Sequence, residues 1–113
     1  MSRNTLYTNQ ELHKGDYLIS NDRNYKAIFQ DDGNFVVYGW KPIWASDTYG
    51  KPVTRLIMQE DGNLVMYTND GTPLWASNTW QNSMSKDFNV SMNNDGRLIL
   101  YRGPSVLWTT TRK

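Results

Sequence analysis

Two nine-residue stretches of this chain carry the same polar residues at the same spacing. The first places Gln30, Asp32, Asn34, Val36 and Tyr38 at every second position, and the second repeats them as Gln59, Asp61, Asn63, Val65 and Tyr67. A third, altered copy reads Asn93, Asp95, Arg97, Ile99 and Tyr101. Side chains two apart along a strand share a face. Each set therefore gathers an amide, a carboxylate, a second amide (a guanidinium in the third copy), an aliphatic side chain and a phenol. Amides both donate and accept, a carboxylate accepts only, and a phenol does either. That inventory suits a neutral sugar, whose adjacent hydroxyls meet the polar groups while its C–H face meets the methyls. The carboxylate bond is expected to be the strongest, since charge-assisted hydrogen bonds are roughly twice as strong as neutral ones. One shallow site of this kind predicts affinity of about 1 mM, near 4 kcal/mol, so useful binding needs several sites on one branched glycan.

The elements that must hold these residues are short hairpins. Each copy centres on Asp-Gly (Asp32-Gly33, Asp61-Gly62, Asp95-Gly96), a pairing that between apolar runs signals a tight β-turn. Gln30, Gln59 and Asn93 lie 29 and 34 residues apart, which marks an internal repeat. On the opposite face the hairpins offer Ala27, Phe29, Phe35 and Val37, then Leu56, Met58, Leu64 and Met66, then Val90, Met92, Leu98 and Leu100. A second repeated element follows each hairpin: Pro42-Ile43-Trp44-Ala45-Ser46, Pro73-Leu74-Trp75-Ala76-Ser77 and, more loosely, Pro104 to Thr109. Proline at the first position is compatible with a strand start. The tryptophans of this element are 31 and 33 residues apart, in step with the hairpins. Three sheets around a pseudo-threefold axis follow, with Trp44, Trp75 and Trp108 meeting on the axis as shared core. Trp40 and Trp80 fall outside the repeat and are candidates for exposed contacts. No stretch holds a 3.6-residue apolar period, so no helix is expected.

Composition narrows the class. At 113 residues the chain reads as one domain over residues 1–113, large enough for a modest core. It has no cysteine, which excludes disulfides and thiolate metal sites. The net charge of +1, with both signs interspersed, argues against nucleic acid or an anionic membrane as partner. Apolar runs are too short to span a bilayer. The first residues, Met1-Ser2-Arg3-Asn4-Thr5, show no apolar leader core. The expectation is a protein of secretions or mucus without a conventional leader, with the cytoplasm as the alternative.

The twice-repeated pattern Gln-x-Asp-x-Asn-x-Val-x-Tyr, with the Pro-Ile/Leu-Trp-Ala-Ser strands, resembles the bulb-type (monocot, snowdrop-agglutinin-like) mannose-binding lectins over essentially the whole chain. The resemblance implies an all-β, β-prism II fold of three four-stranded antiparallel sheets. It also implies calcium-independent binding of α-D-mannose, no cofactor, no metal, and homodimers formed by exchange of C-terminal strands. By the same resemblance, Gln30, Asp32, Asn34, Val36 and Tyr38 form one mannose site, and Gln59, Asp61, Asn63, Val65 and Tyr67 another. Asp and Asn would hold the axial 2-hydroxyl, Gln the 3-hydroxyl and Tyr the 4-hydroxyl. Gly33 and Thr54 stand where plant members carry a disulfide, which makes the chain more similar to the cysteine-free skin and mucus lectins of fish. In the third copy Asn93 is a methylene shorter than glutamine, and Arg97 only donates. A weak or dead site is expected there, with a repurposed, anion-preferring site as the alternative.

Other chemistries fit less well. Glycoside hydrolysis needs two carboxylates flanking one bond, and the repeat gives one such Asp per sheet. His13 stands without a nucleophile context. The Asp-x-Asn pairs lack the twelve-residue calcium loop and its final Glu. Asn89-Val90-Ser91 is a glycosylation sequon, relevant only to a secreted chain. A β-trefoil lectin lacks its Gln-x-Trp signature here. The competing function is a protein-binding module of the same fold with vestigial sugar sites, in place of a lectin that cross-links mannose-bearing glycoproteins or microbial surfaces in defence.

Overall fold

The computed structural model describes residues 3–111. Their chain order is β1 (Thr5–Tyr7), β2 (Glu11–His13), β3 (Tyr17–Ile19), β4 (Lys26–Phe29), β5 (Phe35–Tyr38), β6 (Pro42–Ala45), β7 (Val53–Met58), β8 (Leu64–Thr68), β9 (Pro73–Ala76), β10 (Phe88–Met92), β11 (Leu98–Arg102) and β12 (Ser105–Thr109). They form three four-stranded antiparallel sheets, ordered β3-β4-β5-β6, β2-β7-β8-β9 and β1-β10-β11-β12. This is the expected prism. Each repeat supplies a hairpin and a tryptophan strand, and the short strands near the N-terminus add one outer strand to every sheet.

The alternation read from the sequence sets the core. Phe29 pairs with Phe35 and Ala27 with Val37 across β4 and β5, and all four are at most 1% exposed. Leu56, Met58, Leu64 and Met66 do the same in the second sheet, and Val90, Met92, Leu98 and Leu100 in the third. Leu6, Leu12 and Leu18, one from each short strand, are fully buried in the same cluster. The three tryptophans meet pairwise, with ring centroids 6.1 Å (Trp44–Trp75), 5.8 Å (Trp44–Trp108) and 6.0 Å (Trp75–Trp108) apart and interplanar angles of 69–78°. Edge-to-face packing is favoured because the positive ring edge meets the negative face of its neighbour. The indoles are half-buried, packed against the core and not enclosed by it.

The three β-bulges opposite the tryptophan strands fall at equivalent places: Val37/Tyr38, Met66/Tyr67 and Leu100/Tyr101. A bulge bends its strand and re-aims the next side chain. In each repeat that side chain is the tyrosine of the polar set. Around Gly33 the nearest side-chain atom is Val53 Cγ2, 3.4 Å from where a Cβ would stand. Thr54, expected at the disulfide position, sits in the bulge between Val53 and Arg55, and its hydroxyl is buried without a partner among the described residues.

Candidate carbohydrate site

In the first copy the turn closes through Gly33 N–H donating to Gln30 O (3.0 Å) and Gln30 N–H to Asn34 O (2.9 Å). Gly33 adopts φ +89°, the left-handed region that favours glycine. Asp32 Oδ1 accepts from Asn34 N–H at 2.9 Å, which leaves Oδ2 for a ligand. Gln30 Nε2 donates to Tyr38 Oη at 2.5 Å. The phenol therefore keeps its own hydrogen to donate, and the glutamine keeps its carbonyl to accept.

Two residues absent from the sequence-derived set fix Asn34. Its Oδ1 accepts from Thr48 N–H (3.1 Å) and Ser46 Oγ (3.3 Å), so the amide is turned with Nδ2 toward the open side. This assignment follows from the surrounding network, as amide orientations generally do. Ser46 Oγ also accepts from Phe35 N–H at 3.1 Å, and Thr48 Oγ1 donates to Gly33 O at 2.6 Å. The signal was present in the sequence: the tryptophan element extends to Trp-Ala-Ser-x-Thr in both copies, as Ser46-Asp47-Thr48 and Ser77-Asn78-Thr79. Asp47 and Asn78 are themselves left-handed, at φ 62° and 61°.

The second copy reproduces the first. Asp61 Oδ1 accepts from Asn63 N–H (2.9 Å), and Gln59 Nε2 donates to Tyr67 Oη. Asn63 Oδ1 accepts from Thr79 N–H and Ser77 Oγ, each at 3.2 Å, and Thr79 Oγ1 donates to Gly62 O at 2.6 Å. Each intact copy thus presents an amide donor, a carboxylate acceptor, an amide acceptor and a phenol donor in a row. Val36 and Val65 correct one expectation. They lie on the site face but are only 4% and 3% exposed, covered by neighbours on both sides of their strands. They form a floor under the polar groups and offer a sugar little open methyl surface.

The third copy is built differently. Asn93 Oδ1 accepts from Asp95 N–H (2.9 Å) and Arg97 N–H (3.0 Å), so this amide caps its own turn. Arg97 is exposed and lines a cleft of about 320 Å³ with Thr109, Thr110 and Thr111. Ile99 and Tyr101 remain half-buried, and Asp95 is exposed.

The flanks distinguish the two intact copies. Lys26 stands across the strand from Tyr38, its Nζ 4.1 Å above the Tyr17 ring. Arg55 stands across from Tyr67 and is neutralised by Glu11, with Nε–Oε1 at 3.3 Å and Nη2–Oε2 at 3.2 Å. His13, exposed, lies 2.6 Å from the same carboxylate. The Arg55 hydrogen bond is the largest cause holding the Glu11 carboxyl below its ordinary value, partly opposed by burial and helped by His13.

Comparison with known proteins agrees with this fold. No family model matches the chain. It is similar to the B-type lectin plumieribetin of Scorpaena plumieri, 46% identical over 109 residues, covering 96% of each chain. In structure it is similar to the mannose-specific agglutinin of snowdrop (Galanthus nivalis) complexed with methyl-α-D-mannoside, with a TM-score of 0.77, 36% identity, and 87% and 88% of the two chains covered. A monomeric monocot mannose-binding lectin from Gastrodia elata gives a TM-score of 0.83 and 31% identity over 94% of each chain. Lectins bind carbohydrate without transforming it, so these relatives set the chain apart from enzymes. With a β-prism II fold and near-full-length identity to such a protein, the chain belongs to the bulb-type, or B-type, lectin family.

Proposed function

We propose that the chain is a mannose-binding lectin with two working sites, Gln30/Asp32/Asn34/Tyr38 over Val36 and Gln59/Asp61/Asn63/Tyr67 over Val65. The observation that carries this reading is the duplicated network in which Ser-x-Thr turns the asparagine outward and Gln donates to Tyr. Asp and Asn read the 2-hydroxyl, Gln the 3-hydroxyl and Tyr the 4-hydroxyl. The contact between Gln30 and Tyr38 suits readers of adjacent hydroxyls. Each set holds a single carboxylate and its asparagine oxygen is already engaged by the Ser-x-Thr pair, too few free oxygens for a calcium ion, which supports binding without calcium. Titration calorimetry with methyl-α-mannoside tests the reading. Two equivalents are expected for the native chain, one for Asp32→Ala or Asp61→Ala, and none for the double variant, unchanged by a chelator. Saturable heat persisting in a folded double variant would refute it.

Dimerisation by exchange of β12 belongs to the same proposal, as do a role in defence and a place in mucus or other secretions. β12 is an outermost strand with Val106 58% exposed, which supports a second copy covering it. The relative from Gastrodia elata is described as monomeric, so a monomer is the second reading. Sedimentation velocity separates them by mass.

A further inference from the structure

The five tryptophans have very different fates. Three pack on the axis, and Trp80 is 62% exposed, but Trp40 is 98% exposed. Burial of apolar area is favourable, so an indole left wholly in water forgoes that gain and invites a ligand-related explanation. Trp40 sits in the β5–β6 turn, where Gly39 N–H donates to Lys41 O at 3.0 Å. It is two residues beyond Tyr38, so their Cα atoms are at most about 7 Å apart.

Trp40 also lines a concavity of about 280 Å³ with Asn24, Tyr25 and Gly39. Gly39 packs close to the Tyr25 ring, where a Cβ would stand 3.2 Å from Tyr25 Cε1. Asn24 Nδ2 donates to Asp22 Oδ2 at 3.3 Å, which leaves the Asn24 carbonyl oxygen as an acceptor. An indole beside an amide acceptor is sugar-binding chemistry, because the electron-rich ring face attracts pyranose C–H bonds. The other repeats supply an internal control. The same turn reads Thr68-Asn69-Asp70-Gly71-Thr72 in the second and Arg102-Gly103-Pro104 in the third, with no aromatic residue in either.

We propose that Trp40 and Asn24, backed by the core-packed Tyr25, form a subsite for a second hexose attached through the 6-oxygen of the mannose held by the first copy. The inference rests on the hydroxyl assignment of the proposed function. With the 2- and 3-hydroxyls read at the Asp32–Gln30 end and the 4-hydroxyl at Tyr38, the adjacent C6 arm projects past Tyr38 toward Trp40. Substituents on the 2- or 3-oxygen would collide with the polar array. The first copy then prefers a 1→6-linked dimannoside to a 1→2-linked one, and the second copy does not distinguish them through this turn.

The test uses the full chain with Asp61→Ala, which isolates the first copy. Calorimetry compares methyl-α-mannoside, α1→6-dimannoside and α1→2-dimannoside, before and after adding Trp40→Ala or Trp40→Phe. Expected is a preference of about three- to tenfold for the 1→6 dimannoside, abolished by Trp40→Ala, partly restored by Trp40→Phe, with monosaccharide affinity unchanged throughout. Equal affinity for both dimannosides, or a preference indifferent to Trp40, overturns the subsite and leaves the mannose site standing. Absence of saturation with any of the three sugars in the folded Asp61→Ala parent instead removes the mannose site and the subsite together. A change in sedimentation on Trp40→Ala would assign the indole to a contact between copies and also overturn the subsite.

Discussion

Ser46 and Thr48 lie twelve and fourteen residues from Asn34, yet they decide which end of its amide faces a ligand. Thr48→Val keeps the shape and the backbone donor but removes the hydroxyl that holds Gly33 O. Stranding a buried carbonyl costs about 1–3 kcal/mol. Urea unfolding should show a loss of that order, and calorimetry a weaker first site beside an unchanged second. Charge acts at this scale too. The folded Glu11 carboxyl is depressed chiefly by Arg55, and those of Asp22 and Asp70 by the hydroxyls of Ser20 and Thr68. A depressed folded pKa stabilises the native state above the unfolded value of about 4 and loses that contribution as pH falls through the folded value. Stability should therefore be flat from neutrality down to about pH 5 and decline below it. Glu11→Gln should decline less steeply in thermal melts taken across that range.

The hairpin with its bulge is the element that presents each polar set. The turn sets Asp and Asn at one end, and the bulge before Tyr38 or Tyr67 aims the phenol at the other. The turn glycines test how tightly this element is bound to its surroundings. Gly33, Gly62 and Gly71 all hold positive φ near +88°, at 89°, 87° and 87°. A Cβ on Gly33 would stand 2.5 Å from Lys51 O, and one on Gly62 would stand 2.7 Å from Phe88 Cε1, while one on Gly71 meets nothing within 4 Å. Gly71→Ala should cost only the left-handed penalty of about 1–2 kcal/mol. Gly33→Ala should cost more, because a backbone carbonyl must move as well. Paired thermal melts check the order, and equal losses would show that the segment around Lys51 yields freely.

At the scale of the whole molecule, three small sheets hold together through one shared core, against which each packs an indole in a mutual contact. Trp75→Ala should cost about 3 kcal/mol, the low end for a large aromatic, since each indole keeps some surface in water. The loss should appear as a single cooperative transition at lower denaturant, because all three sheets share the core. The prism also sets the two intact copies in different sheets, so under the proposed function they would not grip one small sugar together. Under that reading, avidity would come from branched glycans or crowded surfaces. The native chain should accordingly bind mannose-coated beads far better than its single-site variants, by more than the twofold that site number alone predicts.

The sequence by itself determined the repeat, the hairpins, the alternation that buries Phe35 and Val37 beneath Asn34 and Tyr38, and the five-residue polar sets, because these depend on periods of two and on local turn chemistry. It also exposed the third copy as different, through Asn93 and Arg97. Only the tertiary structure decided the rest. Strands β1, β2 and β3 are consecutive, yet each joins a different sheet, with Thr5 paired to Ser91, Leu12 to Leu56 and Leu18 to Ala27. The outward turn of Asn34, the covering of Val36 and the bulge before each tyrosine were likewise settled by long-range packing. Each depends on atoms brought together from distant parts of the chain, and no local period or propensity encodes which distant partner will arrive.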